Sequence, residues 1–164
     1  MGLFDKLINK VKDDPNLTIC SPLAGTATDL SEVNDPVFSE GMMGKGAAVI
    51  PTVGRVVAPC DGKIESVFRT LHAITIKADN GAEMIIHVGL DTVALGGRHF
   101  ESHVEDGTYV KKGDLLLTFD LDGIKAEGYD VITPIIVTNS ASFEQVKGTG
   151  RKEVKFGDLL ISLA

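Results

Sequence analysis

Histidine is the residue type in this chain best suited to reaction chemistry, and two of the four histidines lie on neighbouring predicted strands. His72 and His87 are fifteen positions apart, with Asn80-Gly81 between them. Asn-Gly is the strongest short signal for a β-hairpin, because both residues tolerate the positive φ of a two-residue turn. Such a turn pairs His87 with Ile74 and makes the two histidines diagonal neighbours on one face; a three-residue loop would shift this register by one.

Two kinds of chemistry fit a pair of imidazoles on one face. In the first, one neutral imidazole attacks a phosphoryl group and the other donates to the phosphoryl oxygens, while Thr70, which has the parity of His72, orients that ring. In the second, His72, His87 and Asp91 hold Zn²⁺ and a water, as in a zinc-dependent β-sheet peptidase-like hydrolase. That class also expects an H-x-H motif, which the sequence lacks. The residues alone leave both chemistries open.

The other two histidines give a weaker signal. His99 and His103 are four positions apart, which would place them on one face of a helix. Gly96-Gly97 comes just before them, and the residues between them do not form the H-E-x-x-H motif of zinc peptidases. We therefore expect His99 and His103 to be solvated surface residues.

Composition limits the classes of function that these histidines can serve. A length of 164 residues suits one domain, for which roughly 100–200 residues is usual. The net charge of −7 argues against nucleic acid as a partner. The sequence has no apolar run long enough for a bilayer span, no leader-like opening and only two widely spaced cysteines. These features predict a cytoplasmic location.

Short apolar runs separated by Gly, Pro, Asn and Asp predict an all-β fold from Leu17 onward. We expect an antiparallel β-sandwich or barrel-like domain over residues 17–164, with internal duplication and short helices. A helix is predicted over Leu121–Glu127, and a capping-box pattern predicts another from Ser142 to Gly148. The predicted strands are 17–20, 24–28, 47–51, 55–58, 62–68, 72–78, 82–88, 108–111, 115–120, 131–138, 152–155 and 159–163.

Two repeated motifs indicate the duplication. Val110–Leu116 recurs as Val154–Leu160 at an offset of 44, and each copy contains Gly-Asp before a strand. Pro22–Gly25 recurs as Pro59–Gly62 at an offset of 37. The copies are few and their spacing is unequal, so the pattern favours two interlocked halves of one domain over a solenoid.

Residues 1–16 are predicted to form an N-terminal amphipathic arm. Apolar residues at positions 3, 4, 7, 8 and 11 lie on one helical stripe, and lysines lie elsewhere. The arm either attaches loosely to the domain or makes a weak contact through residues 1–12 with an anionic membrane or a partner.

Beyond this physical argument, the sequence resembles the glucose-type enzyme IIA of the bacterial phosphoenolpyruvate-dependent sugar phosphotransferase system. The resemblance rests on the segments 51–62, 70–73 and 86–93, the last reading Ile-His-Val-Gly-Leu-Asp-Thr-Val, with a second histidine fifteen residues upstream of the first. Relatives usually have Leu-Lys-Gly-Glu-Gly-Phe where this chain has Leu95-Gly-Gly-Arg-His-Phe100, and the segment 123–130 is richer in glycine than theirs.

The resemblance implies a phosphocarrier, a phosphotransferase component with a phosphohistidine intermediate and no cofactor or resident metal. His87 would accept the phosphoryl group from the phosphocarrier protein HPr and donate it to a cysteine of an enzyme IIB domain of a sugar permease. His72 would steady the phosphoryl group and Thr70 would orient His72. Binding to transporters or sugar kinases in a regulatory role is implied as well.

A carrier site must be shallow, because two different proteins have to reach the same nitrogen. The resemblance implies an apolar ring around His87 and an acidic rim that attracts arginines of each partner. The predicted partner-binding residues are Asp35, Val37, Phe38, Met42, Met43, Ile85, Asp91 and Val93.

Overall fold

The computed structural model describes residues 17–164 and is built almost entirely of antiparallel strands. The predicted arm, residues 1–16, lies outside the described residues. Strands β1 to β14 are Thr18–Cys20, Gly25–Thr28, Lys45–Pro51, Arg55–Val57, Gly62–Val67, Ala73–Ala78, Glu83–His87, Phe100–Ser102, Tyr109–Val110, Leu115–Phe119, Thr133–Val137, Val146–Gly148, Lys152–Val154 and Leu159–Leu163. Helices α1 and α2 are Pro36–Ser39 and Leu121–Ala126, and 3₁₀ turns occupy Leu30–Glu32, Thr92–Leu95 and Ser140–Ser142.

Residues 17–164 form three sheets, and the predicted all-β class is confirmed. The large sheet has the order β13-β2-β3-β11-β7-β6-β5-β9, and the small sheets have the orders β1-β14-β12 and β4-β10-β8. One main core joins them: Ile76 and Ile135 of the large sheet cluster with Leu117 and Ile161 of the small sheets, and all four are at most 1% exposed. The small sheets therefore cover one face of the large sheet.

The predicted duplication is visible in the backbone. In the turns Lys111–Asp114 and Lys155–Asp158 the aspartate accepts a hydrogen bond from the backbone N–H three residues earlier, at 2.9 and 2.8 Å. The glycine N–H of the first turn donates to Ala58 O at 2.9 Å, and that of the second donates to Ser21 O at 3.0 Å. The acceptors are 37 positions apart, as the second sequence repeat requires.

The two copies also bond to each other reciprocally. Cys20 N donates to Pro59 O at 3.0 Å, and Val57 N donates to Pro22 O at 2.9 Å. Each donor and each acceptor is related to its counterpart by the same offset of 37. Exchange of the two segments reproduces the contact, so the halves are interlocked about an approximate two-fold relation.

All twelve predicted strands are present, but the predicted hairpin register is wrong by one residue. Ala73 pairs with His87, and the loop has three residues because Ala78 N donates to Ala82 O at 2.8 Å. Gly81 alone has the positive φ, of 94°. A two-residue type I′ turn needs two such residues, whereas a three-residue loop with one left-handed residue does not.

Helix α2 agrees with the prediction, and the second predicted helix is wrong. The segment after Ser142 leaves a 3₁₀ turn and enters β12, whose Lys147 pairs with Ser162. Sheet pairing thus overrides a local capping pattern. Two strands were also missed, β8 and β12, and both are outer strands of a small sheet. Each is three residues long.

A second, smaller core lies on the opposite face of the large sheet and decides where the histidines sit. Along β7, Met84 and Ile86 belong to the main core, whereas Ile85 belongs to the small one with Phe38 of α1. Side chains alternate between the faces of a strand, so His87 has the parity of Ile85. His87 therefore projects onto the sheet face that α1 covers.

Candidate functional site

His87 occupies the last position of β7, where the strand gives way to a loop. Its side chain is half-buried, and its ring centroid lies 5.1 Å from that of Phe38. Nδ1 lies 2.8 Å from the carbonyl oxygen of Gly89. A carbonyl oxygen can only accept, so Nδ1 carries the proton and Nε2 keeps its lone pair. The neutral ring is thus set up with Nε2 as the nucleophile.

Glycine is required at position 89 for two reasons. Its φ is 79°, in the left-handed region that side chains disfavour. A Cβ atom there would also lie 2.8 Å from the carbonyl oxygen of Asp130. The loop therefore turns sharply where it packs against the backbone of Asp130, and this turn points the Gly89 carbonyl at the ring of His87.

His72 lies beside His87 although the predicted register does not hold. It precedes β6, and Leu71 before it has a φ of 60°, so the backbone leaves the strand path there. The two ring centroids are 4.7 Å apart and the ring planes meet at 84°. Thr70 Oγ1 lies 2.7 Å from Nδ1 of His72, and the ring is 3% exposed.

Burial keeps both rings uncharged at neutral pH. Loss of water around His72, together with the neighbouring His87, lowers its pKa to about 4. Burial also lowers the pKa of His87, although its hydrogen bond to Gly89 and the charges of Asp35 and Asp91 act in the opposite direction. A nucleophilic imidazole and a neutral imidazole donor are therefore available together at pH 7.

The predicted apolar ring divides into exposed and buried residues. Val37, Met42 and Val93 are 42%, 71% and 55% exposed, so they form a free apolar surface. Phe38 and Ile85 are each 5% exposed, so these two predicted ring residues are buried. They are core residues of the small cluster, because their side chains fill the space between α1 and the sheet.

The remaining predicted rim residues differ in exposure. Met43 is half-buried against the small core, Asp35 is half-buried, and Asp91 is exposed. Asp35 Oδ1 also accepts a hydrogen bond from Val37 N at 3.0 Å, as the N-cap of α1. Phe68 was not predicted; it is 37% exposed and contacts the ring of His72 edge-on with a centroid distance of 5.5 Å. Its position two residues before Thr70 was the available signal.

The expectation of a solvated surface residue is wrong for His99. Its side chain is 22% exposed, Nε2 bonds Glu127 Oε2, and Nδ1 lies 3.7 Å from Asp120 Oδ2. Arg98 pairs with the same Glu127 carboxylate at 2.6 Å, and Arg98 and His99 hold the pKa of Glu127 at about 2. His103 is exposed as expected, with Nε2 2.9 Å from Thr118 Oγ1.

The arrangement gives no support to the zinc alternative. Within residues 17–164, no group of three or more His, Cys, Asp and Glu side chains has the geometry to hold a metal ion. Over the same residues, no helix combines the length and apolar character needed to cross a bilayer. Two neutral imidazoles, one with a free Nε2 at a half-buried position, are suited to taking up and releasing an electrophilic group.

Comparison with known proteins agrees with this chemistry. Residues 17–143 match the family described as phosphoenolpyruvate-dependent sugar phosphotransferase system, EIIA 1. The glucose-specific EIIA component of Bacillus cereus is 48% identical over 147 residues, which are 90% of this chain and 89% of that protein. The beta-glucoside-specific EIIBCA component of Bacillus subtilis is 51% identical over 146 residues; this match covers 88% of the chain but only 24% of that longer protein.

A solved structure extends the likeness to the fold. The glucose permease IIA from Mycoplasma capricolum superposes with a TM-score of 0.80 at 39% identity, covering 88% of this chain and 94% of that one. Sequence, fold and the paired imidazoles lead to the same assignment, and none of the three favours a hydrolase. The chain belongs to the EIIA 1 family of the phosphoenolpyruvate-dependent sugar phosphotransferase system and is a phosphotransferase component of that kind.

Proposed function

We propose that the chain carries a phosphoryl group on Nε2 of His87, from phospho-HPr to the cysteine of an enzyme IIB domain. The observation that carries this proposal is the 2.8 Å contact between His87 Nδ1 and Gly89 O, which leaves the lone pair on Nε2. The EIIBCA name of the Bacillus subtilis relative supports a IIB domain as the acceptor.

In the acceptance step, the Nε2 lone pair of His87 attacks phosphorus in line with the donor's phosphorus–nitrogen bond. That bond breaks, and its electron pair stays on the donor's imidazole. Positioning and charge stabilisation do most of the work in phosphoryl transfer. In the second step a IIB thiolate attacks phosphorus, and His87 leaves as a neutral imidazole with its proton still on Nδ1.

His72 stabilises the phosphoryl oxygens in this scheme. Thr70 Oγ1 lies 2.7 Å from Nδ1 of His72; with the hydroxyl as the donor of this bond, the proton of the neutral ring lies on Nε2. That N–H is available to a phosphoryl group on the adjacent ring, whose centroid is 4.7 Å away. Because His72 is buried, the donor is already oriented and costs little reorganisation during transfer.

The surface around His87 is suited to transient docking of two partners. Val37, Met42, Val93 and Phe68 present exposed apolar area, and the methionine can adapt to different partner surfaces. The Asp35 carboxylate beside this area would attract arginines of HPr or IIB and speed their association.

We also propose one domain for residues 17–164, because β13 and β14 near the chain end pair with β2 and β1. We also propose a cytoplasmic location, since the family is part of the phosphoenolpyruvate-dependent sugar phosphotransferase system.

The N-terminal arm, its weak membrane contact and regulatory binding to transporters or sugar kinases remain predictions. Pull-downs with unphosphorylated and phosphorylated protein test the regulatory binding.

Labelling with phosphoenolpyruvate, enzyme I and HPr tests the proposal directly. We expect one acid-labile phosphoryl group per chain, mapped by mass spectrometry to His87, and its transfer to a IIB domain. Omission of HPr is the control. Label on another residue, or no HPr-dependent label, would overturn the assignment of His87.

A further inference from the structure

The loop after β7 is anchored from within by one buried hydroxyl group. Thr92 is fully buried, and its Oγ1 donates to the carbonyl oxygen of Val88 at 2.5 Å. The bond closes a loop of five residues that contains Gly89, whose carbonyl sets the tautomer of His87. A fully buried hydroxyl needs a partner, so this bond fixes the loop as well as the side chain.

The methyl group of Thr92 contacts the same loop. A Cβ atom at Gly89 would lie 2.6 Å from Thr92 Cγ2, so the methyl lies directly against the glycine backbone. One side chain thus holds the Val88 carbonyl by its hydroxyl and supports Gly89 by its methyl. The two functions can be separated by substitution, since serine keeps the hydroxyl and valine keeps the shape.

Three consecutive peptide groups of this loop are each held by a different partner. Val88 N donates to the carbonyl oxygen of His72 at 2.8 Å, which fixes the first peptide. The third peptide joins Gly89 to Leu90: Leu90 N donates to the carbonyl oxygen of Asp130 at 3.0 Å, and Gly89 O accepts from His87. Thr92 holds the carbonyl of the middle peptide.

The middle peptide is the one most able to rotate. It joins Val88 to Gly89, and glycine passes between φ regions more readily than any other residue. A change in the φ of Gly89, at the end of this peptide, would turn the Gly89 carbonyl away from Nδ1 of His87. With that acceptor lost, the ring proton is free to move to Nε2, where it blocks the lone pair that attacks phosphorus.

We propose that Thr92 is a positioning residue that selects the reactive tautomer of His87 through the Val88–Gly89 peptide. Thr92 lies beneath the loop, fully buried, and acts on the ring only through the backbone. The inference rests on the proposed role of His87 Nε2 as the nucleophile. It assigns the threonine of the His-Val-Gly-Leu-Asp-Thr segment a chemical task.

Nuclear magnetic resonance of protein labelled with ¹⁵N on the histidine rings tests the proposal, combined with rates of acceptance from phospho-HPr. We expect Thr92→Val to fold, to shift the His87 ring proton partly to Nε2 and to slow acceptance about tenfold, the effect of one lost hydrogen bond. Thr92→Ser should restore the Nδ1–H tautomer and a rate within about twofold of the parent. Thr92→Ala, which cannot clash, serves with the same expectation should the valine variant not fold.

Two results would overturn the inference: an unchanged His87 tautomer in Thr92→Val or Thr92→Ala, or the same tautomer shift in Thr92→Ser as in Thr92→Val. The ring spectrum is recorded on unphosphorylated protein, so it reports on Thr92 even if His87 is not the site of phosphorylation. Mapping of the label in the parent protein decides that separate question.

Discussion

His87 and His99 show how two histidines of one chain are prepared for different tasks. Each ring bonds an oxygen atom, but His87 bonds a backbone carbonyl and keeps Nε2 free, whereas His99 has a carboxylate beside each nitrogen. The neighbours of His87 are the rings of Phe38 and His72. Two aromatic rings and one unused nitrogen permit nucleophilic chemistry at His87, whereas a carboxylate beside each nitrogen makes the His99 ring a structural contact.

Backbone strain marks both places, so strain alone does not identify the reactive ring. His99 itself has a φ of 76°, at a position where the family resemblance implies glycine. Gly123, in the segment that is richer in glycine than in relatives, makes room for it: a Cβ there would lie 2.7 Å from His99 Nδ1. The two departures from the family pattern thus meet in one contact, on a different part of the surface from His87.

The largest expected difference between the two regions is in phosphoryl uptake. His87→Ala should abolish labelling from phospho-HPr, because the attacking nitrogen is gone. His99→Gly should label like the parent protein, since glycine accepts a φ of 76° and the ring has no role in transfer. Acid-labile label retained in His87→Ala, or lost in His99→Gly, would break the comparison.

The next effect separates the two rings of the site itself. In His72→Gln we expect acceptance from phospho-HPr to fall less than about tenfold and onward transfer to IIB to fall about 10²-fold or more, since the lost group is an oriented donor. Single-turnover measurements of the two steps provide the test. Equal losses in both steps would argue against the proposed division of labour.

Glycine-to-alanine substitutions compare the backbone segments that pack beside the rings of His87 and His99. Gly89→Ala forces a Cβ against the backbone of Asp130, and we expect acceptance to fall about 10²-fold with a stability loss of about 2–3 kcal/mol. Gly123→Ala meets only the side chains of His99 and Asp120, so we expect about 1 kcal/mol and unchanged acceptance. Denaturant unfolding and initial labelling rates measure both. A normal rate in Gly89→Ala would show that the loop turn is not needed.

The smallest effect is the dependence of stability on pH. His72 has a pKa of about 4 in the fold against 6.5 as its ordinary value, so the unfolded chain binds the proton first as pH falls. The contribution of His72 to the free energy of unfolding is fully present above about pH 6.5. The free energy of unfolding should be lower by roughly 1–3 kcal/mol at pH 5. His72→Gln should flatten this slope in urea unfolding at pH 5 and 7.5.

Glu127 provides the control for that experiment. Its pKa lies at about 2 against 4.5, so its stabilising contribution is complete above pH 4.5 and is lost only as pH falls toward 2. Glu127→Gln should therefore leave the change between pH 5 and 7.5 as it is in the parent protein. An equal slope in parent and His72→Gln would show that burial of this imidazole does not govern the acid sensitivity.

Predictions of structural elements were correct where the local sequence pattern is sufficient to specify the element. The repeats of Pro22–Gly25 and Val110–Leu116 marked turns whose hydrogen bonds are the same in both halves, so local sequence sufficed. The hairpin loop shows the limit. Asn80-Gly81 predicted a turn correctly, but its length depended on the backbone around it: Asn80 Nδ2 donates to Thr18 O of another sheet, and its Oδ1 accepts from Ala82 N.

The sequence paired His72 with His87, and in the structure the two rings lie together by a different backbone path. His72 and His87 were placed together by a register that the structure does not have. Their contact comes instead from the left-handed backbone at Leu71, which no periodicity reveals. Phe38 was predicted in the apolar ring around His87; its ring does lie beside that of His87, but its side chain is buried in the small core.

The class of fold, the duplication and the pair of histidines followed from the sequence, because alternation, turn residues and residue type are local properties. Which nitrogen is free and which residues are exposed depend on how the chain packs. Packing sets the tautomer of His87 through a carbonyl two residues later, and that carbonyl's direction depends on Thr92 and Asp130 packed against the loop. Chemistry at a ring nitrogen depends on a peptide's orientation, and only the packed fold fixes that orientation.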